Sequence, residues 1–299
     1  MNLLNILQAL GGLGLFLYGM QKMSESLRKS SSEKIRTILA HLTKNRVIAL
    51  FTGTAATCLI QSSSATTIMT VGLVNAGLLT IRQAISVVLG ANIGTTLTAW
   101  IVSLIGKFSI AAYALPIIAI GFFMMTLAKK EKVKNIGQIL FGFGLIFFGL
   151  DIMKDIFAPI KQSETVLNLF AQFSKNPLLG ILVGTIFTIL FQSSSATIAI
   201  IQILAFNGII GFEAAIPIIL GDNIGTTITA ELATFNTNTA AKQTARAHTL
   251  FNVLGTAFIL PFAWIGLYPK FIEFIFPGPL TKTNIMMHIA LAHSLFNII

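Results

Sequence analysis

Gln61-Ser62-Ser63-Ser64-Ala65-Thr66 and Gln192-Ser193-Ser194-Ser195-Ala196-Thr197 are one hexapeptide written twice in a chain of 299 residues. Outward from the two copies, Lys44 to Trp100 aligns without a gap on Lys175 to Glu231, and 25 of the 57 positions are identical. A second block matches within that stretch: Gly90-Ala91-Asn92-Ile93-Gly94-Thr95-Thr96 against Gly221-Asp222-Asn223-Ile224-Gly225-Thr226-Thr227. Farther upstream, Gly12 to Met23 resembles Gly142 to Met153, so each copy begins with its own glycine-rich helix. A period this long marks a duplicated half-protein, not a solenoid of short repeats.

The hexapeptides are polar and their surroundings are not. Hydrophobic residues make up 55% of the chain, charged residues only 10%, and the mean hydropathy is +0.84. A soluble domain carries about 25% charged residues, so this chain has too little polar surface to cover a core in water. The expectation is a polytopic membrane protein. Met1 to Met20 lacks a basic n-region and is long enough to span, so it reads as a helix and not as a cleaved signal. The single cysteine, Cys58, has no partner for an internal disulfide.

Leu3 to Gln21 is a first span, followed from Ser24 to His41 by an amphipathic helix on the membrane surface. Val47 to Ile60 is too short to cross a core about 30 Å thick at about 1.5 Å per residue. It meets the polar tract and then a second short run, Ala65 to Leu79. Two short halves around a polar break predict a re-entrant hairpin, tolerated at depth only where it lines a cavity or is buried in protein. Ala84 to Ile105, interrupted at Asn92 to Thr96, and Ser109 to Ala128 complete the first unit. The second contains Ile136 to Ile156, a hairpin from Leu178 to Ile210, and Ala214 to Phe235. Ala247 to Leu267 and Asn284 to Ile299 follow. The predicted fold is all-α, with two inverted-topology repeats, each holding a re-entrant hairpin and a broken transmembrane helix. Residues 1–135 form the first repeat, 136–267 the second, and 268–299 an external loop and last span.

Inversion follows from the count. If the hairpin does not cross, three crossings separate the two repeat starts, and an odd number reverses the second repeat. Charge agrees. With the N-terminus outside, the basic clusters Lys22 to Arg46 and Lys129 to Lys134, together with Arg82, Lys242 and Arg246, fall inside. Only Lys107, Lys154, Lys161, Lys175, Lys270 and Lys282 remain outside. The net charge of +10 is therefore read as topology and lipid contact, with no nucleic-acid partner.

Four-residue runs of Gln and Ser are costly in hydrocarbon unless partnered. At matched depths in inverted halves, Gln61, Ser62, Ser63 and Ser64 meet Gln192, Ser193, Ser194 and Ser195 near the midplane. Hydroxyls, free N–H groups and the positive ends of half-helices suit a small oxyanion. Neutral oxygens nearby suit a hard monovalent cation such as sodium. Joint binding of both is the logic of symport. Small-residue packing accounts for Ala65, Gly72 and Gly77.

Gly94 and Gly225 are expected to loosen their helices and free carbonyls. Thr66, Asn92, Thr95, Thr197, Asn223 and Thr226 are then cation ligands or gating contacts, whereas Thr96 and Thr227 bond back to their own helices. Asp222, where the first copy has Ala91, is an ionisable group inside a span and a candidate sodium or proton ligand. Glu231, opposite Trp100, lies nearer a helix end. Ala247-His248-Thr249-Leu250-Phe251-Asn252 and Ala292-His293-Ser294-Leu295-Phe296-Asn297 place His and Asn on one helix face, where they tie helices together. The spacing gives no zinc site, no phosphate-binding loop and no nucleophile–base set, so the chain is read as a non-enzyme without cofactors other than coupling ions. The 24 Phe residues are lipid-facing or packing groups.

Two QSSSAT motifs, each followed by G-x-N-I-G-T-T, resemble the type II sodium–phosphate cotransporter family, and the Ala-His-x-Leu-Phe-Asn strings resemble its bacterial branch. The resemblance covers nearly the whole chain. It implies sodium-coupled uptake of inorganic phosphate across the cell inner membrane, with the QSSS tracts forming phosphate and sodium sites between inverted repeats. It also implies a PhoU-like cytoplasmic domain after the last helix. Because the sequence stops at Ile299 within an apolar run, truncation or a form lacking that domain is expected. A homodimer is an assembly the sequence leaves open. So are another small anion, such as sulfate or a carboxylate, and a role as a membrane phosphate sensor.

Overall fold

Apolar stretches punctuated by glycine, serine and short polar turns give helices throughout. The computed structural model describes residues 3–42, 45–107, 111–157, 164–282 and 284–299, and these contain helices and no strand. In chain order they are α1 (Leu3–Leu42), α2 (Arg46–Ile60), α3 (Ser63–Asn75), α4 (Ile81–Lys107), α5 (Ala111–Leu127), α6 (Glu131–Phe157) and α7 (Glu164–Lys175). Then come α8 (Pro177–Phe191), α9 (Ser194–Phe206), α10 (Phe212–Thr226), α11 (Ile228–Ala233), α12 (Thr239–Trp264), α13 (Leu267–Ile275) and α14 (Ile285–Ile298). The predicted ends at Lys44 and Ser109, and the basic residue Lys161, lie outside the described residues.

Ile81–Leu104, Glu131–Phe157 and Thr239–Trp264 are long and apolar enough to cross a membrane. The surface is inverted relative to a soluble protein. Phe51, Phe123, Leu127, Leu190, Phe235, Leu254 and Phe274 are exposed, while Ser63, Thr66, Thr70, Gln202, Asp222, His248 and His293 are buried. With no water outside, exposed apolar groups are the stable choice and buried polar groups must find partners within the bundle. The chain is a helical membrane protein.

Backbone contact through glycine organises the helices. A Cβ on Gly53 of α2 would fall on the Val87 carbonyl of α4, and one on Gly90 would fall on the Leu50 carbonyl. Gly184 and Gly221 repeat this between α8 and α10, against the carbonyls of Ile218 and Ile181. All four contacts keep the 131-residue offset. Gly94 and Gly225 extend the series, each 2.7 Å by its ideal Cβ from the carbonyl oxygen of Thr54 or Thr185. α1 and α6 join by the same device, Gly12 against Gly149 and Gly19 against Gly142. As residue numbers rise along α1 they fall along α6, so these two matched helices run antiparallel.

Four expectations change. α1 continues unbroken from Leu3 to Leu42, joining the predicted span and surface helix. α4 is also continuous through Asn92 to Thr96: Gly94 serves close packing and not a break. In the second unit the interruption is confined to Thr227, between α10 and α11. α7 and α13 are additional short helices, and α12 begins at Thr239 because Asn238 caps it, its side chain accepting from the Ala241 N–H at 2.9 Å.

Candidate functional site

α2 ends at Ile60 because Gln61 turns into the left-handed region (φ 57, ψ 32), and Ser62 then extends (φ −155, ψ 106) to cap α3. Gln192 (φ 50, ψ 30) and Ser193 (φ −151, ψ 104) repeat the turn between α8 and α9. Serine favours the N-cap because its hydroxyl satisfies a free N–H of the first turn. Ser62 Oγ accepts from Ala65 N at 3.2 Å and Ser193 Oγ from Ala196 N at 3.3 Å. The N–H groups of the residues just after each cap have no intrahelical acceptor. A left-handed glutamine costs about 1–2 kcal/mol, and here the cost recurs at the same step of both units.

The two turns face each other across one cavity. It is lined by Gln61, Ser62, Ser63 and Ser64, by Gln192, Ser193, Ser194 and Ser195, and by Thr57, Gly94, Thr95 and Thr98. Its volume is about 50 Å³, against roughly 10–15 Å³ for one water by the same measure. That suits a small tetrahedral ion and excludes large organic substrates. Among the described residues no charged side chain lines it. An anion there would meet hydroxyls, free N–H groups and the positive ends of helix dipoles.

At the cavity, hydroxyl pairs join the two units. Ser195 Oγ donates to Thr98 Oγ1 at 3.3 Å, and Thr229 Oγ1 donates to Ser64 Oγ at 3.0 Å. Thr229 is the counterpart of Thr98 and Ser195 that of Ser64, so exchanging the two units maps one contact onto the other. Gly12–Gly149 and Gly142–Gly19 exchange in the same way. The same exchange of units thus accounts for both sets of contacts. The sequence does not single out Thr98 and Thr229, although the match resumes at Thr98-Ala99 and Thr229-Ala230 after the Leu97/Ile228 difference.

The glutamines differ. Gln61 Nε2 donates to the Cys58 carbonyl at 2.7 Å, and its Oε1 accepts from Thr98 at 3.1 Å. Gln192 is exposed towards the cavity, and no hydrogen bond of its side chain occurs among the described residues.

Of the expected cation ligands, Thr95 lines the cavity and donates to the Ala91 carbonyl at 3.1 Å. Thr66 and Thr197 stand behind it, their hydroxyls 3.0 Å from Thr57 and 2.9 Å from Thr188. Asp222 is fully buried. Its Oδ1 accepts from Thr188 at 2.6 Å, and its Oδ2 has no partner among the described residues. Thr188, Thr197 and Asp222 thus form an oxygen-rich group able to hold a small cation. Asn92, Asn223 and Thr226 do not line the cavity. Asn92 Oδ1 is engaged by His248 Nε2 at 2.8 Å, Asn223 Nδ2 donates to Ile219 O at 2.8 Å, and Thr226 donates to Asp222 O at 2.9 Å. Thr96 and Thr227 bond back to Ile93 and Ile224, as expected. His248 ties α12 to α4, whereas Asn252 and Asn297 donate to the His248 and His293 carbonyls of their own helices.

The chain is 33% identical over 284 residues to an uncharacterized Bacillus subtilis protein, YqeW, covering 95% of this chain and 88% of that one. It is 30% identical over 260 residues to an Escherichia coli protein provisionally named for inorganic phosphate export, YjbB. That match covers 87% of this chain but spans only 47% of the relative. Human sodium-dependent phosphate transport protein 2B is 32% identical over 139 residues, 43% of this chain and 20% of its own. No solved structure matches. The Na+/Pi-cotransporter family model matches residues 15–155 and 161–268, which take in both turns and all twelve residues around the cavity, and the chain belongs to that family.

Proposed function

We propose that the protein is a secondary transporter that moves inorganic phosphate into the cell together with sodium, without enzymatic chemistry or a resident cofactor. The observation that carries this reading is the small uncharged cavity between two capped helix N-termini. It offers an oxyanion many donors and no counter-charge, so co-binding of a cation lowers the cost of burying the anion. Phosphate contacts come from Gln61, Ser62, Ser63, Ser64, Gln192, Ser193, Ser194 and Ser195. Sodium contacts come from Thr66, Thr95, Thr197 and Asp222, with Asn92, Asn223 and Thr226 completing the set after rearrangement.

In this reading the two units are inverted repeats, at residues 1–135 and 136–267, and α2–α3 and α8–α9 are re-entrant hairpins. The antiparallel α1 and α6 and the exchanged contacts support inversion. The chain is multi-pass in the cell inner membrane with its N-terminus outside; a cytoplasmic PhoU-like domain and a second copy are its candidate protein partners.

Export is the second reading, favoured by the name of the Escherichia coli relative. The test is radiolabelled phosphate flux in proteoliposomes with sodium imposed inward or outward, and potassium as control. Uptake that needs inward sodium is expected, and Ser63→Ala or Ser194→Ala weakens phosphate binding sharply without unfolding the protein. Flux indifferent to sodium removes the coupling, and normal transport by both variants removes the serine tracts from the mechanism.

A further inference from the structure

His248 and His293 stand at corresponding places in the two Ala-His-x-Leu-Phe-Asn strings, on α12 and α14. Two hydrogen bonds establish how those helices correspond in space. Thr249 Oγ1 on α12 donates to Glu231 Oε1 at 2.6 Å, and Trp100 Nε1 donates to Ser294 Oγ on α14 at 2.9 Å. Glu231 is the counterpart of Trp100 across the 131-residue repeat, and Thr249 is the counterpart of Ser294 between the strings. The two-fold exchange that swaps the units therefore also swaps α12 with α14.

Under that exchange His248–Asn92 corresponds to His293–Asn223. The first pair is made, at 2.8 Å between Nε2 and Oδ1. The second is not. His293 is only 1% exposed and neither ring nitrogen has a partner among the described residues, while Asn223 turns its Nδ2 back to the Ile219 carbonyl. A buried imidazole without a partner is less stable than an apolar side chain of the same shape, so its packing here does not explain it.

We infer that His248 and His293 are positioning residues of the transport cycle, each closing on its asparagine in one of two alternating conformations. The inference rests on the reading of the chain as a transporter with inverted units. When two halves are related by an axis in the membrane plane, exchanging their conformations gives the same molecule seen from the other side. The pair left open here is the pair that the opposite-facing conformation makes. His293 is kept for a hydrogen bond absent from this state, and Asn92 and Asn223 are read as latch partners as well as neighbours of the site.

The experiment compares His293→Leu, His293→Gln and His248→Leu for melting temperature in detergent and for phosphate flux in proteoliposomes. His293→Leu is expected to melt higher than the wild type, because it removes an unpartnered polar group, yet to transport about tenfold more slowly, the effect of one lost hydrogen bond. His293→Gln keeps a donor and an acceptor and restores flux to within about threefold. His248→Leu melts lower, because Asn92 loses its partner. Wild-type flux from His293→Leu, or equal losses for Leu and Gln, overturns the latch while leaving the transporter reading intact. If the wild-type protein itself moves no phosphate, both fall. Should His293→Leu fail to insert, His293→Met makes the same comparison.

Discussion

Replacing each of the two left-handed glutamines with glycine should move stability in opposite directions. Gln61 and Gln192 share one backbone geometry, φ 57 and φ 50. An L-residue there costs about 1–2 kcal/mol. Glycine escapes that cost but gives back about 0.5–1 kcal/mol in backbone entropy, leaving a gain of about 0.5 kcal/mol at either site. Gln192 has no side-chain hydrogen bond among the described residues to lose, so Gln192→Gly keeps the gain. Gln61 loses two, to the Cys58 carbonyl and from Thr98. At about 1 kcal/mol each, Gln61→Gly is less stable by about 1.5 kcal/mol. The two variants then differ by about 2 kcal/mol, which at about 2–4 °C per kcal/mol separates their melting temperatures by about 4–8 °C. Thermal melting of the purified variants in detergent reads this directly. Equal shifts, or a lower melting temperature for Gln192→Gly, would refute the assignment of unequal roles. Phosphate binding falls in both, since both side chains line the cavity.

Gly184→Ala drives a Cβ onto the Ile218 carbonyl and should destabilise the protein by about 1–3 kcal/mol, with Gly53→Ala matching it; thermal melting tests both. A double-mutant cycle on Thr98→Val and Ser195→Ala should show coupling of about 0.5–1 kcal/mol, and additive melting shifts would remove that contact from the interface between units. Asp222→Asn keeps the acceptor for Thr188, so it should fold normally while raising the sodium concentration for half-maximal phosphate flux at least about tenfold. An unchanged sodium titration would take Asp222 out of the cation site.

Features that one copy confirms in the other were legible in the sequence. The hexapeptides mark the breaks in α2–α3 and α8–α9 because an N-cap serine is local chemistry, and Thr96 and Thr227 bond back to carbonyls within their own turn. What the sequence hid depends on what packs alongside. Gly94 reads as a helix weakener when seen alone, and only the Thr54 and Thr57 atoms against it show that it serves close packing. Asn92 carries a ligand's oxygen, but His248 lies 156 residues away and takes it. Thr98 and Thr229 sit among helical residues with no signal except their duplication, and their importance appears only across the boundary between units.

The glycine contacts have a mechanical consequence. Where the backbone of one helix rests directly on a carbonyl of another, no intervening side chain can change rotamer to accommodate sliding. α2 with α4 and α8 with α10 thus behave as two stiff blocks. Between the units the cavity is bridged by softer contacts, hydroxyl pairs of 3.0 and 3.3 Å whose donors and acceptors can be traded one for one with an ion's oxygens or hydration shell. Rigidity within the blocks and exchangeable bonds between the units place the compliance of the molecule at the cavity, so its occupancy, in a space of about 50 Å³, would be felt by two whole blocks at once.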